Sequence, residues 1–362
     1  MAPVLGVRYE ESTAIPFKAT TSLASYIPGR SIVPKHDATC EYEDLKPSFS
    51  NKKWPAYAEV LYEDKAHRGS PAFTNLLATA TDIFDYNPKV GTKSTASTSQ
   101  HSPDAAKNEL ALLMFTRGVV FFRNQNFFTI DAQRELGLYF GSLHKHATTS
   151  VPKRGDLDDV HVPSSYTSLK VLKVPPRGGG GDTPWSSQYA AYDALSTPMQ
   201  KYLESLTALH SSHMQAEGTL AAGRTVGRDP IVTEHPLIRS HPVTVWKALF
   251  CNPGFVTQIV GVPKVESDVI MGYLNEVVAT TQELHVRLQW GKDDVAFWDN
   301  WVTNHSASYS FAPYRRRAGR VAVQAERPFL APDARSQEQE LAREYGLPAV
   351  NKDGSKQSHC KD

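Results

Sequence analysis

The stretch Asp293 to Arg320, DDVAFWDNWVTNHSASYSFAPYRRRAGR, decides the reading of this chain. An apolar, strand-like run, Val295-Ala296-Phe297-Trp298, leads to His305, and Arg316 and Arg320 follow eleven and fifteen positions after it. A neutral imidazole suits iron, and an arginine fork grips a carboxylate through two parallel charge-assisted hydrogen bonds. The interval of four between the arginines puts both on one side of a helix or, being even, on one face of a strand. The segment therefore fits a site that holds a metal and a carboxylate together. It also fits a hydrogen-bonded histidine beside a solvated basic turn, Arg315-Arg316-Arg317, and spacing alone leaves both readings open.

Strand and helix signals surround this stretch. His285-Val286-Arg287-Leu288-Gln289-Trp290 alternates polar and apolar, GKDD at 291–294 turns the chain, and Val295 to Trp298 returns. Hairpins of this kind suit an antiparallel double-sheet jelly roll with an open mouth for ligands, an α+β but mainly β fold with helices at its periphery. A helix is expected from Ser102 as N-cap with Pro103 at its first position, carrying Leu110 and Leu113 and ending by Gly118. The buried strand Val119-Val120-Phe121-Phe122 follows it. Thr129 caps a second helix that stops at Gly141, Ser196 and Pro198 open a third, and Ser267 opens a fourth. On the fourth, Val269, Ile270, Tyr273, Leu274, Val277 and Val278 form a wide apolar stripe that reads as core.

Several segments resemble the taurine/alpha-ketoglutarate dioxygenase (TauD/TfdA-like) family, and they occur in the family's order. They are GVVFFRNQ (Gly118 to Gln125), FGSLHKH (Phe140 to His146), GGDTPWSSQYAAYDALS (Gly180 to Ser196), HPLIRSHPVTVWKALFCNPGF (His235 to Phe255) and DDVAFWDN. The resemblance implies a double-stranded β-helix. It also implies Fe(II), with 2-oxoglutarate as cosubstrate, hydroxylating a small anionic substrate, a sulfonate or a carboxylate, with release of succinate and CO2. Carried over residue by residue, it makes His305 an iron ligand, Thr183 and Arg316 the partners of 2-oxoglutarate, and His146 and Arg320 substrate contacts. The organisation it implies is an N-terminal extension over 1–107 wrapping the core, a dioxygenase domain over 108–330 and a polar tail over 331–362.

Three departures accompany the likeness. The family supplies two further iron ligands from a His-x-Asp or His-x-Glu tripeptide upstream of the GGDT segment, yet none of the thirteen histidines here has Asp or Glu two residues later. KRGDLDDVHV (Lys153 to Val162) and PSSYTSLKVLKVP (Pro163 to Pro175), which resemble the segments flanking that tripeptide, abut directly, as after an internal deletion of about twenty or more residues on the family's layout. His144, His161 and Asp156 are the candidate substitutes; an arginine, as at Arg154 in an undeleted register, cannot ligate iron. Second, KSTASTSQHS (Lys93 to Ser102) reads as a loop where the family has a strand. Third, Trp301 follows WDN where the family commonly has Arg. The alternative to an active enzyme is thus a catalytically silent member, whether a pseudoenzyme or a truncated gene model, retaining the fold and the anion pocket.

Composition narrows the partners. A formal charge of +1 over 362 residues gives no broad attraction to nucleic acid or to anionic membranes. The expected partner is a small molecule, with self-association into a homo-oligomer left open. Cys40, Cys251 and Cys360 lack CxxC spacing, so neither a disulfide framework nor a zinc site is indicated. The first thirty residues contain no continuous apolar stretch, so the expected location is cytoplasmic.

Overall fold

A computed structural model of the chain describes residues 41–49, 53–54, 63–95, 102–144, 147–148, 151–153, 164–176, 179–308, 310–311, 314–324 and 326–346. Two sheets carry the architecture. Their strands in chain order are β1 (Ile83–Asp85), β2 (Thr92–Ser94), β3 (Val119–Phe122), β4 (Ser164–Lys173), β5 (Thr183–Ser187), β6 (His285–Leu288), β7 (Val295–Asp299), β8 (Thr303–His305) and β9 (Arg317–Gln324). A six-stranded sheet runs β9-β4-β7-β3-β2-β1, and a three-stranded sheet runs β6-β5-β8. All pairings are antiparallel except β2 with β3. Among the described residues the strands form separate sheets rather than one closed barrel.

The alternation of side chains along each strand sorts the core into layers. Val120, Phe122, Tyr166, Val295, Phe297 and Val323 meet the helices α1 (Asp104–Arg117) and α2 (Ile130–Phe140) on one face of the larger sheet. Val119, Phe121, Val171, Ala296 and Trp298 leave the other face and pack against Trp185, Val286 and Leu288 of the smaller sheet. All five residues of β7 are buried because both of its faces are covered. Helix α1 ends at Gly118 as the sequence indicates, but its N-cap position is Pro103, one residue after the expected Ser102. Thr129 caps α2 by accepting from the Ala132 amide at 3.1 Å. Gln133 then donates to the carbonyls of Ser168 and Gly319, each at 3.1 Å, and ties α2 to β4 and β9.

Three local expectations are corrected. His285–Leu288 and Val295–Asp299 do not form a hairpin: β6 pairs with β5 and β7 with β3 and β4, so the chain crosses from one sheet to the other between them. The buried carboxylate of Asp294 holds the crossing, accepting from the amides of Gly291 at 2.6 Å and Asn124 at 3.2 Å and pairing with Arg123. Alternation along two successive strands cannot distinguish this arch from a hairpin, since either places the same faces inward. The polar run after Gly91 begins as a strand: Thr92 and Ser94 are buried, and β2 lies parallel to β3. Ladder pairing overrides a composition that reads as loop; residues 96–101 of that run lie outside the described residues.

The fourth helix, α3 (Lys264–Thr280), starts three residues before Ser267, whose buried hydroxyl instead accepts from the Ile259 amide at 2.9 Å. Only part of its stripe is core. Ile270 and Leu274 are buried, whereas Val269 is 67% and Tyr273 41% exposed, because the helix rests one narrow face on its neighbours.

A second three-stranded sheet, from Thr207–Ser211, Val232–Pro236 and Val256–Ile259, brings His210 and His235 within 5.1 Å, ring to ring. His210 also stacks on Phe250 at 4.7 Å. Burial pushes both imidazoles down to about 4, helped at His210 by His235 and at His235 by Arg327 and Arg239. Burial acts oppositely on Glu326, raising its carboxyl to about 7 against the pull of Arg239.

Two outcomes are expected. Trp185→Ala should cost about 3–5 kcal/mol in urea unfolding, as for other buried large aromatics. The unfolded chain protonates its histidines near the usual 6.5 while the folded one resists until about 4, so their contribution is intact above 6.5 and is lost as the pH falls toward 4. His210→Phe should flatten the fall of the thermal midpoint across that window. Comparing variant with wild type cancels Glu326, whose contribution is greatest below 4.5 and disappears as the pH rises through 7. An unchanged slope would remove His210 from the account.

Candidate active site

Trp185, Trp290 and Trp298 meet between the two sheets, with Trp185 centred 6.1 Å from Trp290 and 5.6 Å from Trp298. Four of the five sequence-assigned site residues rest on this group. The His305 ring lies 4.9 Å from Trp298, and the Arg320 guanidinium sits 5.9 Å over the same ring. The Arg316 guanidinium sits 5.8 Å over Trp290, whose indole N–H donates to the Thr183 hydroxyl at 2.9 Å. The fifth residue, His146, lies outside the described residues, as do Asp156 and His161.

Strand register explains the convergence. His305 on β8 faces Trp185 on β5, and Thr183 stands two residues from Trp185, so all three project from one face of the small sheet. Arg320 on β9 is paired with Leu169, which is on the same face of the large sheet as Trp298. Arg316 precedes β9, so the even interval to Arg320 does not reflect one regular strand; a register shift between Arg317 and Ala318 intervenes. The two guanidiniums nonetheless reach neighbouring indoles.

The glycines before Thr183 permit close approach. Gly180 and Gly181 have φ of 78° and 84°, a region side chains disfavour, and a Cβ at Gly180 would fall 2.3 Å from the Ser310 carbonyl oxygen. A Cβ at Gly181 would meet the Arg316 side chain at 3.1 Å. The segment following His305 is thereby laid against β5: the Ser306 amide donates to the Pro184 carbonyl at 3.2 Å, and the Ser308 hydroxyl to that of Asp182 at 2.8 Å.

Sequence reasoning missed the indoles and the polar bracket behind them. The Trp298 N–H donates to the Asn300 carbonyl oxygen at 3.0 Å, and the Asn300 amide donates to the Thr167 hydroxyl at 2.8 Å and the Ser165 carbonyl at 2.7 Å. Arg320 reaches the same Thr167 hydroxyl at 3.5 Å. Asp299 turns away from the pocket, accepting from the Trp301 amide at 2.7 Å and lying 3.0 Å from His241. The WDN motif is therefore a positioning device, and Trp185, Trp290 and Trp298, each within fifteen residues of GGDT or His305, were its visible signal. Trp301 does not leave its surroundings apolar, since the Arg239 guanidinium lies 4.2 Å over its ring.

His305 and Arg320 are exposed to solvent by area, yet protein surrounds both closely enough for burial to govern their protonation. Burial, with Arg320 second, holds the His305 imidazole down at about 3, and burial lowers the Arg320 guanidinium to about 10. At neutral pH the site thus presents one neutral imidazole and two cations. The Thr183 hydroxyl oxygen accepts from the Trp290 N–H, so its own proton points away from that bond.

Iron does not fit what the described residues provide. A facial triad needs two imidazoles and a carboxylate. Among the described residues no three His, Cys, Asp or Glu side chains gather closely enough to hold a metal ion. His144, the candidate substitute that is described, lies beside β9 with its amide donating to the Ala322 carbonyl at 2.7 Å, and completes no such group with His305. Asp182, next to Thr183, is turned to Arg287 at 3.0 Å.

Known proteins resemble this chain in sequence and in fold. Residues 156–322 match the Taurine catabolism dioxygenase TauD, TfdA family. An alpha-ketoglutarate-dependent sulfonate dioxygenase of Saccharomyces cerevisiae is 34% identical, over 80% of this chain and 79% of its own length. A crystal structure of a taurine dioxygenase from Burkholderia xenovorans superposes with a TM-score of 0.57 at 25% identity, covering 71% of this chain and 93% of that one. A Schizosaccharomyces pombe relative is 37% identical over 328 aligned positions, which cover 82% of this chain and 83% of the relative. Since 82% of 362 residues is about 297, roughly thirty of those 328 positions face gaps in this chain. A chain alike over four fifths of its length and folded around the same sheets belongs to the taurine catabolism dioxygenase TauD, TfdA family.

Proposed function

We propose that the pocket takes 2-oxoglutarate at Arg316 and Thr183 and a small anion, a sulfonate or a carboxylate, at Arg320. This is the pair of molecules consumed by an alpha-ketoglutarate-dependent sulfonate dioxygenase. The two facing sheets are then the halves of one double-stranded β-helix, with the pocket at its mouth. The observation that carries the reading is the convergence of Thr183, Arg316, Arg320 and His305 on a single group of tryptophans. The guanidinium of Arg316 offers a paired hydrogen bond to one carboxylate, and the Thr183 proton, oriented by Trp290, serves a second oxygen. Arg320, braced by Thr167 and Trp298, supplies charge for the other anion. His305 is neutral throughout the physiological range, the state in which an imidazole can ligate iron.

The family's reaction, hydroxylation with release of succinate and CO2, needs an iron site that His305 alone does not make. A second reading, a family member that binds both anions without turnover, is favoured by the absent His-x-Asp tripeptide and by the gap of roughly thirty positions. Succinate release from 2-oxoglutarate, measured with ferrous ion, oxygen and a sulfonate such as taurine, separates the two. Sulfonate-stimulated succinate establishes the first; sulfonate binding without succinate establishes the second.

The anion assignments predict a division between variants. Arg316→Ala should weaken 2-oxoglutarate binding tenfold or more, since a hydrogen bond to a charged group contributes about 1.5–3 kcal/mol. Arg320→Ala should leave that affinity within about threefold and weaken sulfonate binding tenfold or more, on the same bond strength. Calorimetry reads both, and equal losses in both variants would contradict separate subsites. Trp290→Phe keeps an aromatic ring but removes the donor to Thr183. It should weaken 2-oxoglutarate binding several-fold while costing about 1 kcal/mol of stability, and unaltered affinity would show that the Thr183 hydroxyl is not a ligand group.

A further inference from the structure

We infer that this chain binds its dicarboxylate through charge and hydrogen bonds alone, with no metal ion bridging protein and ligand. The inference rests on the pocket proposed above and concerns how that pocket works. Across the whole sequence no histidine has a carboxylate residue two positions later, and the relative from Schizosaccharomyces pombe carries roughly thirty aligned positions that this chain lacks. Among the described residues His305 has no companions that would complete a metal site.

The charges around His305 point the same way. Arg320 and His305 share the ring of Trp298, and Arg316 lies over the adjoining Trp290. Asp182, beside Thr183, and Asp299, beside Trp298, are engaged elsewhere, Asp182 with Arg287 and Asp299 with His241 and the Trp301 amide. A divalent cation entering here would meet two positive guanidiniums and one neutral donor, and among the described residues no group of carboxylates and imidazoles gathers to offset its charge. An anion meets the reverse: two cations held in fixed places by aromatic faces and a hydroxyl proton already aimed by Trp290. The pocket is electrostatically complementary to 2-oxoglutarate before any metal is considered.

Isothermal titration of the full chain with 2-oxoglutarate, under nitrogen, in EDTA and again with manganese(II), tests this. The expected result is a Kd equal within about twofold in the two media, weakening with added salt. Arg316→Ala should raise the Kd tenfold or more in both. Tightening by manganese(II) of about tenfold or more would overturn the inference while upholding the pocket, including any site rebuilt with Asp156 or His161. Loss of that tightening in His305→Ala would locate it. Failure of 2-oxoglutarate to bind the folded wild-type chain in either medium would overturn the pocket itself, and the inference with it. The wild-type comparison decides the metal question even where a variant folds poorly.

Discussion

The contact of three indoles between two sheets is the interaction on which the pocket depends. Trp185 is fully buried at the centre, and Trp290 and Trp298 lean on it from the crossing segment and from β7. Large aromatic side chains contribute much apolar burial, and their edges and faces prefer definite angles, so the group fixes orientation as well as distance. Each functional side chain then uses a different property of an indole: Thr183 the N–H, Arg316 and Arg320 the electron-rich faces, His305 a flat wall. Each guanidinium stands over an indole ring, and that contact fixes where its charge lies.

The sheets bring this about through register. β5 carries Thr183 and Trp185 on one face and aligns His305 opposite Trp185, while β4 and β9 place Arg320 across from them. The arch at 289–294 lets consecutive strands enter opposite sheets, so Trp290 and Trp298, eight residues apart, meet on either side of Trp185. Had the segment formed a simple hairpin, both would have stood in one sheet and the cavity wall would have lacked one side. The buried network of Asp294 with Arg123, Gly291 and Asn124 thus serves the pocket from a distance.

The sequence carries no His-x-Asp or His-x-Glu tripeptide, yet β4 keeps its pairing with β7 and β9. The hydrophobic layers on both sides of β7 account for this, since they are built from residues outside 154–163.

Much of this was legible from the residues. The helix ends at Gly118 and Gly141, the strand at Val119 and the family likeness follow from capping residues, apolar runs and motif order. The strand at Thr92, the arch and the exposed flank of α3 were not, because ladder pairing, sheet choice and the breadth of a buried face are set by distant partners. The sequence by itself determined which chemical groups are present and that no His-x-Asp or His-x-Glu tripeptide is among them. Only the tertiary structure decided that four of those groups share one aromatic surface, since residues far apart along the chain become neighbours through pairing register, and register is fixed by packing rather than by any local pattern.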